Sequence, residues 1–255
     1  RLYDTNTSSY ITLAEVKQLV MDNEPVTIKD AKTGEDLTRS ILLQIILEEE
    51  AGGAPMFSEA MLANTIRFYG HAMQGFMGAY IEKNVQVFTD FQKKLYQAVL
   101  DSQQAGFEAA KPGATYSDIH HACMRVIAER LHDWGILPVD VEESLSPEGQ
   151  QHRRWLACGV AHHLGLDVHD CAQARYESYQ NAKIRPGMIF TIEPGLYFRE
   201  DDLLIPPEYR GIGIRIEDDV LMTEDGPEWI SAGIPKQIDD VEAWMADMAA
   251  EGVKA

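Results

Sequence analysis

Apolar residues recur along the chain with two different periods, one typical of helices and one typical of strands. Across 58–110 large apolar residues return every three or four positions, as they do along one face of a helix. We predict a helix there, with a break at one of three glycines, Gly70, Gly75 or Gly78. The same period over 116–134 predicts a second helix, and the acidic segment 238–249 predicts another near the end of the chain.

Residues 1 to 50 carry the signals of a small module that mixes helices and strands. Apolar pairs at 2–3 and 10–11 flank a polar turn, which predicts a hairpin. Thr12 and Glu15 form a capping box, in which both side chains bind free backbone N–H groups at the start of a helix. We predict that this helix ends near residue 21, and that a strand at 26–28 and a helix at 40–50 follow it.

After residue 135, short apolar runs alternate with Gly and Pro-Gly turns, which predicts strands at 159–168, 188–192, 211–216 and 220–222. Two of these strands carry a carboxylate. Because side chains alternate between the faces of a strand, Glu193 shares a face with Thr191. Glu217 likewise shares a face with Arg215. A carboxylate in a half-buried strand costs free energy unless it is paired or bound to a cation.

Two histidines, His162 and His169, lie in and just after the strand predicted at 159–168. A regular strand would point them to opposite faces, so a break near Gly165 is needed before both can reach one cleft. Taken singly, a histidine in an apolar strand is more often a satisfied core residue, and Glu217 is able simply to pair with Arg215. One His and two Glu on separate strands together favour a site for a divalent metal.

Three segments, 162–170, 186–197 and 211–219, resemble the hallmark blocks of aminopeptidase P and prolidase. These enzymes belong to the pita-bread metallopeptidases, and the resemblance covers about 91–255. It implies an α/β (α+β) fold with an incomplete pita-bread core, preceded by a small α/β module and a long helix. It also implies hydrolysis of the bond before proline, with two divalent ions, usually manganese, and a substrate peptide that has proline at its second position.

The same resemblance assigns a role to each candidate site residue. His162 would be a metal ligand, Glu193 a ligand that also relays a proton, and Glu217 a ligand shared by both ions. His169 would hold the substrate and stabilise charge on its carbonyl, and Arg215 would support the site. The catalytic set is thus His169, Glu193 and Arg215.

Two departures from the family predict impaired catalysis. The family supplies two further aspartates from a hairpin, but here 73–80 takes that place and contains no carboxylate. Asp90 and Asp118 lie too late in the chain to be clear substitutes, and Cys158 stands where the family usually has histidine. Hard cations depend on carboxylate charge, so we expect one weakly held ion, most readily Mn²⁺. Two ions would need ligands from another chain or a rearranged loop.

The N-terminal part resembles a different family. Segments 1–5, 9–13, 30–39 and 66–74 are similar to the repressors of polyhydroxyalkanoate synthesis. This resemblance implies binding to DNA and adsorption to polymer granules, and it divides the chain into a regulator-like DNA-binding module (1–57), a granule-binding-like helical segment (58–90) and the metallopeptidase-like domain (91–255). The granule-facing candidates are Phe76, Met77 and Tyr80, although such a stripe more often serves ordinary helix packing.

The two resemblances meet inside one predicted helix near 87–95, with no Pro, Gly or Ser linker. We therefore expect a recombined or truncated gene, or an error of sequence assembly. The first alternative to an impaired metallopeptidase-like domain is an active aminopeptidase completed by another chain. The second is a transcriptional regulator of polyhydroxyalkanoate synthesis with an inert C-terminal part. A homo-oligomer remains open.

Composition narrows the partners and the compartment. The 255 residues carry a formal net charge of −19. This charge argues against binding of nucleic acid through the electrostatic attraction of the whole molecule, so DNA contacts must be local. Three scattered cysteines do not form a disulfide framework, and no apolar run reaches the length of a membrane span, so we expect a cytoplasmic protein with free thiols. The chain starts at Arg1 rather than at a methionine, as expected of a fragment or a processed product.

Overall fold

The computed structural model describes residues 2–22, 24–52, 55–70, 73–156 and 158–250. For residues 249 and 250 it describes the backbone alone. The chain divides into two compact units, one formed by residues 1–81 with 239–255 and the other by residues 82–238. No helix within these described ranges is long and apolar enough to cross a membrane.

The first unit opens with an antiparallel hairpin and continues with helices. Strands β1 (Leu2–Asp4) and β2 (Ser9–Ile11) pair, and helices α1 (Leu13–Met21), α2 (Thr38–Gly52) and α3 (Glu59–Phe68) follow. Both halves of the predicted capping box are present: Thr12 accepts from the backbone of Glu15, whose carboxylate accepts from the Thr12 N–H. The long helix α4 spans Gln74–Ala109, so the predicted break falls around Gly70, while Gly75 and Gly78 lie within α4.

The strand predicted at 26–28 is wrong. That segment has no ladder, and only the neighbouring pair Lys29 and Asp36 forms a single bridge. The reason is that side-chain and loop hydrogen bonds replace a strand partner: the Ile28 N–H donates to the Thr38 hydroxyl at 2.8 Å, and the Leu37 N–H donates to the Ile28 carbonyl at 2.8 Å.

The second unit packs helices against two small antiparallel sheets. Helices α5 (Tyr116–Asp133) and α6 (Val141–Leu145) precede strands β3 (Ile189–Ile192), β4 (Gly195–Tyr197), β5 (Gly213–Arg215), β6 (Asp218–Met222) and β7 (Pro227–Trp229). One sheet has the order β3-β6-β7 and the other pairs β4 with β5. Short 3₁₀ helices lie at Gln151–Arg154, Tyr176–Ser178 and Pro207–Tyr209. The final helix α7 spans Ile238–Ala250 and belongs to the first unit from residue 239 onward.

The core of the second unit lies between α4, α5 and the strands. Fully buried side chains include Leu95, Val99, Ile119, Ile127, Leu131, Phe190, Ile192 and Val220. Helices α4 and α5 approach closely at Gly106, where an added Cβ would lie 2.5 Å from the Cys123 Sγ. The Ser102 hydroxyl, one turn earlier, donates to the Cys123 carbonyl at 3.1 Å, which fixes the two helices to each other.

The segment predicted as a strand at 159–168 is extended but is not a regular strand. The Thr191 N–H donates to the His162 carbonyl at 2.9 Å, and the Glu193 N–H donates to the Val160 carbonyl at 2.8 Å, so the segment runs beside β3. It then turns back, because the Gly165 N–H donates to the Asp167 carbonyl at 3.2 Å. The predicted strand at 159–168 is therefore wrong: only single bridges from His163 to Phe190 and Asp170 form, and the extended segment ends in the turn near Gly165.

Candidate metal centre

Both carboxylates of the candidate site lie in one interruption between two strand ladders. Segments 189–197 and 213–222 pair antiparallel, with Ile192 opposite Asp218 and Gly195 opposite Arg215. Glu193 and Glu217 fall in the unpaired residues between these two registers. Pro194 follows Glu193 and has no N–H to donate, which explains why the ladder stops there.

A buried glutamine holds the two edges of this interruption together. The Gln103 Nε2 of α4 lies 3.1 Å from the carbonyl of Ile192 and 3.3 Å from the carbonyl of Ile216, the residues just before Glu193 and Glu217. It also donates to the Asp218 Oδ2 at 3.0 Å. The carboxylates are therefore positioned by a helix side chain that contacts the backbone beside each of them.

Three ligand atoms converge at the interruption. One atom each of His162, Glu193 and Glu217 lies within 4.8 Å of the others, and His162 and Glu193 are buried while Glu217 is exposed. Two ligands about 2.1 Å from one ion lie roughly 3.4 Å apart in tetrahedral geometry, so small side-chain movements would close the site around a single ion. One imidazole and two carboxylates suit a hard or borderline divalent cation.

The histidine is oriented by its own backbone neighbourhood. The His162 Nδ1 lies 3.1 Å from the carbonyl of His163, which can only accept, so Nδ1 carries the proton. The other ring nitrogen, Nε2, faces the Glu193 Oε1 at 3.2 Å, and in the neutral imidazole with Nδ1 protonated it carries the lone pair. This is the arrangement in which an imidazole acts as a metal ligand.

Arg215 occupies the other side of Glu193. Its Nη1 lies 2.9 Å from the Glu193 Oε2, its Nε donates to the Tyr197 hydroxyl at 2.7 Å, and its Nη2 lies 3.6 Å from the Cys158 Sγ. Burial raises the pKa of Glu193, and the charge of Glu217 raises it further, while Arg215 lowers it. The guanidinium thus supplies positive charge to a carboxylate that would otherwise be costly to ionise.

All the candidate residues except Glu217 line one open cleft of about 610 Å³. Its lining includes His162, Glu193, Arg215, Cys158 and His169. The rings of His162 and His169 lie 4.3 Å apart between centroids, and His169 is exposed to the cleft. The turn near Gly165 therefore brings the two histidines together, although they lie seven positions apart in the chain.

Within the described ranges, His162, Glu193 and Glu217 form the one group of three such side chains close enough to share an ion. Segment 73–80, where the resemblance predicts that the family's hairpin is replaced, belongs mostly to α4 and offers no carboxylate. Asp90 accepts from Gln86 at 2.8 Å on the exposed side of α4, and Asp118 caps the start of α5. Neither aspartate joins the group.

Sequence reasoning missed the residues that support the site, above all Gln103. One signal was present, since Gln103 continues the apolar stripe that Leu95 and Val99 form at four-residue spacing along α4. A polar side chain on an apolar stripe must find buried partners. The identity of those partners could not be read from the stripe.

Two family profiles match the chain. The profile of metallopeptidase family M24 matches residues 70–224. The profile described as the PHB/PHA accumulation regulator DNA-binding domain matches residues 1–53. Both resemblances predicted from sequence are therefore confirmed, and the chain joins an Xaa-Pro-aminopeptidase-like domain to a regulator-like N-terminal domain.

Curated relatives are similar to the C-terminal part. Xaa-Pro aminopeptidase 1 of Streptomyces coelicolor is 55% identical over 159 residues, which cover 62% of this chain and 32% of that protein. The Xaa-Pro aminopeptidase of Escherichia coli is 38% identical over 158 residues, covering 62% and 35%. The chain spans about a third of the length of the curated relatives that it matches.

Solved structures agree with the sequence matches. Pseudomonas aeruginosa aminopeptidase PepP superposes with a TM-score of 0.57 at 36% identity, covering 62% of this chain and 35% of that one. Zinc-substituted E. coli aminopeptidase P in complex with product gives a TM-score of 0.56 at 37% identity, covering 61% and 34%. The predicted fold class, a mixed fold with a partial pita-bread core, is thus confirmed.

Proposed function

The chain belongs to metallopeptidase family M24, and from this premise we propose that its cleft holds a single divalent ion weakly and lacks effective peptidase activity. The ligands would be His162, Glu193 and Glu217. The observation that carries the proposal is that, among the described residues, these three side chains form the one group whose ligand atoms lie close enough together to share an ion. They provide two negative charges, too few to hold two hard cations side by side.

The chemistry that a bound divalent ion supplies is Lewis acidity toward an amide carbonyl and toward water. The side chains around it have their own roles. His169, exposed in the cleft beside His162, would donate a hydrogen bond to a substrate carbonyl. Glu193 is the proposed proton relay, and the 2.9 Å contact with Arg215 favours its ionised form.

The proposed metal is manganese, and the proposed ligand class of the cleft is a peptide with proline at its second position. Carboxylate and imidazole donors suit Mn²⁺, and the curated relatives are named as Xaa-Pro aminopeptidases. The thiol of Cys158, which contacts Arg215 at the rim of the cleft, is a soft donor. Zn²⁺ affinity should therefore be measured beside Mn²⁺ affinity.

Calorimetric titration of the purified chain with Mn²⁺ is expected to reach at most one ion per chain. Release of the first residue from an Xaa-Pro tripeptide should stay at the level of a Glu193→Gln control. Two ions per chain together with turnover would contradict the proposal. A rate that rises faster than linearly with chain concentration would instead support the alternative in which a second chain completes the site.

A second candidate function is DNA binding by the N-terminal part, with cytoplasmic regulation of polyhydroxyalkanoate synthesis. The specific observation is the regulator profile over residues 1–53. Arg39 in the first turn of α2 and Lys32 in an exposed turn held by Asp30 are the proposed phosphate contacts.

The exposed Phe76 and Tyr80 of α4 are the proposed contacts to a polymer granule, because large exposed apolar side chains favour a hydrophobic surface.

DNA binding would show itself in its salt dependence. Fluorescence anisotropy with duplex DNA should give an affinity that falls with salt by a slope of roughly 0.9 per phosphate contact. Lys32→Gln with Arg39→Gln should lower that slope by about 2, while Lys111→Gln, outside the profile match, should not change it. A DNA affinity that does not depend on salt, or that is equal for all variants, would count against DNA binding. The granule contact has its own test: the chain should co-sediment with polymer granules, and its absence from the pellet would count against that contact.

A further inference from the structure

A second cavity of about 290 Å³ lies beside the start of α5, and its lining is basic. The titratable side chains in that lining are Arg153, His120, His121 and two tyrosines, and no carboxylate is among them. The whole chain carries a net charge of −19. A concave site that collects an arginine and two histidines in so acidic a protein is expected to attract anions.

The backbone N–H of Arg153 donates to the Gln150 carbonyl at 3.1 Å, but its guanidinium, which has five N–H donors, makes no hydrogen bond or ion pair with any residue that the structure describes. Neighbouring arginines behave differently. Arg154 contacts Asp202 through two N–H groups at 2.8 Å each, and Arg125 contacts Glu142 at 2.7 Å. The donors of Arg153 therefore remain available to a ligand in the cavity.

His120 adds a half-buried imidazole to the cavity. Burial and the nearby charges of His121, Arg153 and His152 lower the pKa of His120 to about 4, so its ring is neutral at physiological pH. A neutral imidazole offers one N–H donor and one acceptor. Its ring centroid lies 6.1 Å from that of His121, so both rings are able to contact one small ligand.

Two other polar side chains of the lining already have hydrogen-bond partners. The Ser117 hydroxyl contacts the Asn181 Oδ1 at 2.9 Å, and the Gln150 Nε2 donates to the Ser146 carbonyl at 2.7 Å. Asp118, the nearest acid along α5, accepts from the Thr115 N–H at 2.8 Å and does not line the cavity. The basic side chains of the lining are therefore Arg153 and the two histidines, and the amide of Gln180 lies in the same lining.

We propose that this cavity is an oxyanion-binding site in which Arg153, His120 and His121 bind a phosphate or a carboxylate group. Arginine presents paired N–H donors that match two oxygens of either group. Two sources of the group are compatible with the geometry. One is free phosphate, and the other is the C-terminal carboxylate of a short peptide in the neighbouring cleft, since Gly159, Ala161, Tyr176 and Gln180 line both cavities.

The peptide source rests on the proposed function of the cleft, whereas the phosphate source does not. Calorimetry on the full chain would use three probes at constant ionic strength: inorganic phosphate, an Ala-Pro-Ala tripeptide acid, and the same tripeptide as its C-terminal amide. Long-range nitrogen–proton NMR of the eight histidines, assigned with His120→Asn and His121→Asn, would locate the bound anion. We expect saturable binding of phosphate or of the acid, with chemical-shift changes at both histidines and none on adding chloride.

Arg153→Gln should weaken that binding at least tenfold, roughly what one lost charge-assisted hydrogen bond produces. Arg185→Gln removes an exposed arginine outside the cavity and should bind as the unchanged chain does. Binding of the acid but not the amide identifies a peptide terminus, and binding of phosphate alone identifies a free anion. No saturable binding, or binding that Arg153→Gln leaves unchanged, would overturn the proposal. Phosphate binding retained in Glu193→Gln would separate this site from any failure of the metal site.

Discussion

Glu193→Gln is expected to weaken Mn²⁺ binding by a hundredfold or more. Removal of an outer-shell partner typically lowers metal affinity by about 10–100-fold, and Glu193 is a proposed direct ligand. The substitution keeps the shape of the side chain but removes one of only two carboxylate charges in the cluster. Calorimetric titration with Mn²⁺, and competition with a coloured chelator where affinity is low, would measure the change.

The folded state should tolerate this substitution. Folding raises the pKa of Glu193, chiefly through burial, so the ionised carboxylate at neutral pH costs stability that the neutral amide does not. That cost is absent below the unfolded-state pKa and grows as pH rises through the folded-state pKa. Glu208→Gln, the same change at an exposed site, is the matched control. Equal Mn²⁺ affinity in both variants would remove Glu193 from the ligand set.

Gln103→Leu is expected to lower the free energy of unfolding by about 2–4 kcal/mol. The side chain is 1% exposed, and its amide group contacts two backbone carbonyls and the Asp218 carboxylate. Leucine leaves those buried acceptors with fewer donors, and each unsatisfied buried group costs about 1–3 kcal/mol. Lys236 remains 3.0 Å from Asp218, which limits the loss. Urea unfolding followed by tryptophan fluorescence would measure it.

Gln104→Leu is the control for this prediction, because Gln104 lies next to Gln103 on the exposed side of α4, where its side chain donates to the Glu108 carboxylate at 3.0 Å. It should change stability by less than about 0.5 kcal/mol. Because Gln103 holds the backbone before both carboxylates, Gln103→Leu should also weaken Mn²⁺ binding under conditions where the chain stays folded. Two variants of equal stability and equal ion affinity would show that Gln103 does not position the site.

The helices and their ends could be predicted from sequence because their signals are local. The capping box of Thr12 and Glu15 forms within four residues, and α5 begins and ends close to its predicted bounds of 116 and 134. The alternation around Glu217 was likewise local, and the structure has Arg215 and Glu217 exposed with Ile216 buried between them. In each case, residues a few positions apart decide the outcome.

Other features depended on residues far apart in the chain and could not be predicted in this way. The predicted strand at 26–28 is absent because Ile28 donates to Thr38, ten residues later. The short strands β4 and β7 carry too few residues for a periodic signal, and they form only because a partner lies alongside. The same holds for Gln103, whose partners lie about 90 to 115 residues away.

For this protein, the sequence by itself predicted which residues could bind an ion, because that is a matter of residue type and order. The tertiary structure decided that His162, Glu193 and Glu217 converge within 4.8 Å. It also decided that Arg215 contacts Glu193, and that the guanidinium of Arg153 forms no ion pair with a carboxylate of the residues that the structure describes. The physical reason is that ion binding depends on distances and charges in space, which local sequence patterns do not fix.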